Sequence, residues 1–373
     1  MTRTGRIGAV TVLMLAAGIS ASPALAQSQA GPPTFEVDTG WPTVPDDWVL
    51  GEVTSIAVDG DDHVWVLHRP RSIPEAERER AAPPVLEFDQ DGALLRSWGG
   101  PGDGYDWPER EHGIWVDAEG FVWISGNGGW PRPTPGTEND DFVLKFTPDG
   151  ELVLQLGAAG ASQGNADRSN VHQPADQFVD EAAGELYVAD GYGNQRVVVF
   201  DADTGAFKRM WGAFGNAPPA AAPAAPGPAA GPPGGQAATA PAEAPAFGLV
   251  HAVKVSNDGI VYVADRGNQR IQWFTTAGEY VSQLVIDGES PPAPAGFAFS
   301  PDAAQRYLYV VESANARVLI FERESMTILG QFGMRSAEPG GMDIAHHIAI
   351  DSNGNLYTAE IVNNRRAQRF LAR

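Results

Sequence analysis

Self-similarity constrains this chain more than any other feature. Residues 175–200 read Ala-Asp-Gln-Phe-Val-Asp, a Gly turn, then Glu-Leu-Tyr-Val-Ala-Asp-Gly-Tyr-Gly-Asn-Gln-Arg-Val-Val-Val-Phe. Residues 251–274 repeat the scheme as His-Ala-Val-Lys-Val-Ser-Asn-Asp-Gly-Ile-Val-Tyr-Val-Ala-Asp-Arg-Gly-Asn-Gln-Arg-Ile-Gln-Trp-Phe. Each block spells an inner strand, a tight turn, a second strand, a polar loop and a third strand, followed by a Gly turn into a fourth. Weaker copies start near Thr54, His112, Ala295 and His346. In all six, the leading residue stands five positions before the polar residue that closes the first strand: Asp59, Asp117, Asp180, Ser256, Ser300 and Asp351. Four short strands per unit, repeated at about 40–50 residues, are the signature of a propeller blade. A unit that is apolar on both faces cannot bury them alone, so the units must stack around an axis. The expectation is an all-β chain forming a six-bladed β-propeller. The sixth copy reaches Arg373 before its fourth strand, and the segment 34–44 can supply that strand and close the ring.

Composition agrees and narrows the setting. The chain has 43 Gly and 10 Trp, as expected of turn-rich β structure. It has no Cys, so no disulfide holds the fold. A formal charge of −22 argues against nucleic acid and anionic membrane as partners. Arg3 and Arg6, an apolar run from Ile7 to Ile19 and a small-residue end at Ala26 read as a signal peptide over residues 1–26. The expectation is export, to a periplasmic or extracellular setting, with residues 27–373 forming the propeller. Residues 215–246 are nearly all Ala, Pro and Gly and read as a flexible insertion between blades three and four, a spacer or a lid.

The histidines fall on the repeat. His112, His251 and His346 occupy the leading position of blades two, four and six, where blades one, three and five carry Thr54, Ala175 and Ala295. Alternate blades of a six-bladed ring stand about a third of a turn apart, so three imidazoles converge on the channel. Three imidazoles with an open position suit a catalytic zinc. The loops between second and third strands open on the same face as these histidines. They carry His68 and Arg69 in blade one, Gly191 and Tyr192 in blade three, and Arg266 in blade four; His172 enters blade three there too. A tyrosine and two arginines beside a metal suit an anionic substrate that must lose a proton, because guanidinium groups bind carboxylate in a fork. Arg196, Arg270 and Arg317 recur in the repeat string and read as structural.

The Ala-Asp-x-x-Asn-x-Arg-(Ile/Val)-x-x-Phe string resembles NHL repeats. Further motifs are similar to peptidyl-α-hydroxyglycine α-amidating lyases: Glu-His-Gly-Ile-Trp-Val-Asp (111–117), Val-Ala-Asp-Gly-Tyr-Gly-Asn-Gln-Arg-Val (188–197), His-Ala-Val with Val-Ala-Asp-Arg-Gly-Asn-Gln-Arg-Ile-Gln (251–272), and His346 to Ile348. The resemblance implies a six-bladed propeller with a zinc on three histidines and a structural calcium. It also implies cleavage of a peptidyl-α-hydroxyglycine to a peptide amide and glyoxylate. Carried over, His112, His251 and His346 match the zinc ligands, Tyr192 the base, and Arg69 and Arg266 the arginines near it. The chain departs from the pattern at His347, where the family has an aspartate that helps bind calcium. It departs again at Ile344, which replaces a methionine, and in lacking the family's disulfides. The copper monooxygenase domain of the fused enzymes has no counterpart in these residues, so the expected partners are a small anionic α-hydroxy acid or peptide-derived substrate and a separate monooxygenase. Two alternatives stay open: a non-catalytic NHL propeller that binds a protein or peptide, and a propeller lactonase or other hydrolase.

Overall fold

The computed structural model describes residues 1, 31–131, 134–220, 243–287 and 291–373. The signal peptide read over residues 1–26 lies outside the described residues apart from Met1, and so do residues 221–242 of the insertion. From Pro32 to Arg373 the chain is one compact unit. Its strands form six four-stranded antiparallel sheets. Five are sequential meanders, at 52–98, 111–157, 176–211, 250–285 and 294–332. The sixth joins Ile344–Ile350, Leu356–Ile361 and Arg366–Ala372 to the N-terminal strand Phe35–Asp38. This is the ring closure expected of the segment 34–44. The fold is a six-bladed β-propeller. Among the described residues no helix is long and apolar enough to cross a membrane.

The core is divided as stacking demands. Six apolar clusters lie one in each gap between neighbouring blades. Tyr187 and Trp211 of blade three pack on Val263 and Phe274 of blade four. At the seam, Val64 and Phe88 of blade one meet Tyr357 and Ala359 of blade six, with Trp41 of the N-terminal segment among them.

The recurring polar string has a structural role in four blades. The acid ending the second strand binds the Asn and Arg that follow it and a backbone N–H of the incoming loop. Asp265 accepts from Gly248 N, Asn268 Nδ2 and Arg270 Nε, each at 2.8 Å. Asp190 does the same with His172 N, Asn194 and Arg196; Glu312 with Ala293 N, Asn315 and Arg317; and Glu360 with Asp343 N, Asn364 and Arg366. Each carboxylate is thus paired and hydrogen-bonded where it is buried. In blade one the position is His68, whose Nδ1 accepts from Gly51 N at 3.1 Å while Nε2 donates to the Pro83 carbonyl at 3.0 Å. Burial holds that ring down to about 4, neutral.

Candidate metal centre

The innermost strands are not regular where the histidines sit. Ladder pairing slips between Val53 and Ser55, Glu111 and Gly113, Val250 and Ala252, Pro294 and Gly296, and Ala345 and His347. Each slip leaves one residue bulged out of the ladder: Thr54, His112, His251, Ala295 and His346. A β-bulge re-aims the side chain it carries. Blade three has no such slip, and Ala175 instead precedes its first strand, its N–H donating to Ala189 O at 2.8 Å.

Three of the bulged residues meet on the axis. The imidazole centroids of His112, His251 and His346 lie 4.6–5.1 Å apart, and one ring nitrogen from each lies within 4.8 Å of the others. All three rings are buried. Their Nδ1 atoms face backbone carbonyls of the next blade: His112 to Ala175 at 2.6 Å, His251 to Ala295 at 2.7 Å, and His346 to Thr54 at 2.6 Å. A carbonyl only accepts, so each Nδ1 carries the proton and each Nε2 keeps its lone pair. Burial first holds the three rings well below the usual histidine range, followed by neighbouring rings for His112 and His346 and by Arg266 for His251. They are therefore neutral, the form that ligates a metal. His251 Nε2 is buried with no hydrogen-bond partner, an orphan that an ion would satisfy. Tetrahedral zinc at about 2.0–2.1 Å sets ligand nitrogens about 3.4 Å apart, so small ring rotations close this triad on an ion. The triad fits a transition metal that takes imidazole.

The acidic site implied by the resemblance does not fit. His347 packs edge-on or tilted against the triad, its ring centroid 5.1–5.9 Å from each of the others, with Nδ1 at 2.5 Å from Ser55 Oγ. Burial, then the charge of Lys254, pushes its ring down to about 3. Calcium seeks six to eight oxygen ligands. A neutral imidazole in the field of an ammonium is the wrong charge and the wrong donor for it.

Tyr192 and Arg266 reach the triad, and Arg69 stands beside it. The Tyr192 hydroxyl donates to His112 Nε2 at 2.9 Å, onto the lone pair that a bound ion would take in its place, and accepts from Arg266 Nη1 at 3.4 Å. Its two flanking glycines let the loop press against its neighbours. A Cβ on Gly191 would lie 2.0 Å from the Val250 carbonyl, and one on Gly193 would lie 2.1 Å from the His172 ring. Arg69 Nε donates to the Glu111 carbonyl at 2.7 Å and Nη1 to Glu52 Oε2 at 2.6 Å. Arg69 and Arg266 hold the same repeat position, one residue past the blade-acid position, in blades one and four on opposite sides of the ring. His68 and His172 are occupied elsewhere, His172 by Asp141 at 2.6 Å.

Two neighbours escaped the sequence reading. Trp130 packs edge-on to Tyr192, with ring centroids 4.8 Å apart. Arg110 lies over the Trp130 ring, 5.8 Å from its centroid. Burial, then the charge of Arg69, brings the Arg110 guanidinium down to about 10. Its one signal was being basic two residues before a leading histidine, where blades one and three carry Glu52 and Gln173.

The NHL repeat family model matches residues 247–274. NHL repeat-containing protein 3 of Mus musculus is 28% identical over 340 residues, covering 88% of this chain and 82% of that protein. The probable peptidyl-alpha-hydroxyglycine alpha-amidating lyase pgal-1 of Caenorhabditis elegans is 22% identical, covering 85% of this chain and 81% of that protein. A streptogramin B lyase structure superposes with a TM-score of 0.54 at 14% identity, over 91% of this chain and 98% of that one, and shares the fold.

Proposed function

We propose that this protein is a zinc-dependent carbon–nitrogen lyase that splits a carbinolamide-type α-hydroxy acid adduct into an amide and glyoxylate. The observation that carries the reading is the Tyr192 hydroxyl, held at 2.9 Å from a triad nitrogen and 3.4 Å from a guanidinium. A base, a cation and a metal-ready triad meet at one point, in a chain with a relative named as a probable amidating lyase.

His112, His251 and His346 would hold the metal, which supplies Lewis acidity that acidifies a hydroxyl placed against it. Tyr192 takes the substrate hydroxyl proton as general base. Arg266 and Arg69 hold the substrate carboxylate and steady the negative charge on the alkoxide oxygen. The alkoxide collapses to the aldehyde and the carbon–nitrogen bond breaks with its electrons going to nitrogen. Tyr192 returns its proton to that nitrogen, releasing the amide.

The same reading takes the chain to act after export by its N-terminal signal, on a small anionic or peptide-derived α-hydroxy acid made by a separate monooxygenase. The test is metal content of the purified mature protein beside a His112/His251/His346 triple alanine variant, with glyoxylate release from N-acyl-α-hydroxyglycines. About one zinc per chain, absent from the folded variant, and glyoxylate from the parent alone are expected. No metal after zinc reconstitution moves a non-catalytic binding propeller to first place.

A further inference from the structure

Beside the candidate metal centre lies a cleft of about 220 Å³ whose lining includes Arg69, Arg71, Arg110 and Trp130. Three guanidiniums in one cleft call for an account in a chain that carries 47 acids against 25 basic residues. Two have their own carboxylates: Arg69 pairs with Glu52 at 2.6 Å, and Arg71 pairs with Glu109. The buried Glu111 also lines the cleft, and its Oε1 is taken by Trp107 Nε1 at 2.9 Å. Arg110 differs. Among the described residues it has no carboxylate within ion-pair distance, and its contacts are the Trp130 carbonyl at 3.5 Å and the Trp130 ring. Leaving one guanidinium unpaired near a second costs energy unless a ligand anion completes it.

Trp130 links the two places. Its ring meets Tyr192 edge-on at 4.8 Å and has Arg110 over it at 5.8 Å, so a ligand extending from Tyr192 along this indole comes within reach of Arg110. We propose that Arg110, with Arg69 and the Trp130 ring as walls, forms a subsite for a second anionic oxo group of the ligand. The preferred ligand is then an α-hydroxy acid with another acidic group at its far end. What sits at the triad rests on the lyase reading; the subsite itself does not need turnover.

The experiment measures binding of unreactive probes to the zinc-loaded mature protein by calorimetry. The probes are 2-hydroxyglutarate and 2-hydroxypentanoate, alike in the α-hydroxy acid and different at the far end. The expected result is about tenfold or more tighter binding of 2-hydroxyglutarate, falling to near parity in Arg110→Gln and kept in part in Arg110→Lys. 3-Phosphoglycerate in the same assay tells phosphate from carboxylate: an Arg110-dependent preference over 2-hydroxypentanoate for either ligand with a far-end anion supports the subsite, and the tighter one names its chemistry. Equal binding of dianion and monoanion by the unaltered protein overturns it, as does a preference that survives in Arg110→Gln. Failure of the lyase reading looks different, since no α-hydroxyglycine then yields glyoxylate while the discrimination between probes persists.

Discussion

Blades two, four and six deliver imidazoles to the axis, whereas blades one, three and five deliver carbonyl oxygens to the same place. Both groups leave from one register position, and in five blades from one kind of bulge. The odd blades' own leading side chains, Thr54, Ala175 and Ala295, are small and buried, leaving room for the ring that leans over from the blade before. The alternation of histidine with small residues is thus a division of labour: one blade supplies a nitrogen and the next fixes its tautomer. Two of the groups proposed to face a ligand, Tyr192 and Arg69, also come from odd blades. Arg266 shares blade four with His251, and Arg110 and Trp130 share blade two with His112.

This division can be broken at either half, with effects of different size. His251→Ala, an even-blade change, should lower zinc affinity by more than the 10–100-fold typical of losing an outer partner, read by competition with a chelator. Near-normal affinity would mean the triad is not the ligand set. Tyr192→Phe should leave zinc content intact and reduce turnover by about 10²–10⁴. A variant that keeps full activity removes the tyrosine from the mechanism.

Ala295→Leu tests the odd half. A larger side chain at this fully buried position displaces the carbonyl that orients His251. It should cost about 1–3 kcal/mol of stability and weaken zinc about 10–100-fold. The same substitution at Ala57, elsewhere in the blade-one core, should cost stability alone. Equal zinc affinity in both variants would reduce the odd blades to spacers.

The smallest effect is a pH dependence at His68, where blade one uses an imidazole in place of a blade acid. Its folded pKa, about 4, lies below the unfolded value of 6.5, so the unfolded chain takes up the proton first. The stability it contributes is complete above pH 6.5 and lost as pH falls toward 4, by about 1.4 kcal/mol per pH unit. His68→Gln can still accept from Gly51 and donate to Pro83, and should lack that loss. Urea unfolding of both metal-free proteins at pH 7, 6 and 5 reads the difference, and parallel curves would show that His68 is not buried neutral.

Much of this was legible in the sequence, for a definite reason. Blade number, the closing N-terminal strand and the convergence of His112, His251 and His346 all follow from side chains that recur at fixed register. The carbonyls of Thr54, Ala175 and Ala295 were invisible because a backbone acceptor has no letter of its own. Arg110 and Trp130 were missed because each reaches the site from a non-repeating loop of blade two. His68 stood out as a chemically suggestive residue, yet it is the blade-one substitute for an aspartate, and only its partners Gly51 and Pro83 reveal that.

The hydrogen bond from His346 to the Thr54 carbonyl spans 292 residues, and the blade that carries His346 is finished by the strand Phe35–Asp38. The third donor nitrogen is therefore in place only after both ends of the chain have found each other. An ion that needs all three nitrogens can be captured by a completed ring and by no earlier intermediate on the way to it. Uptake of a metal by this triad would thus work as a timestamp on assembly: in a refolding experiment it should trail every blade and arrive with the seam.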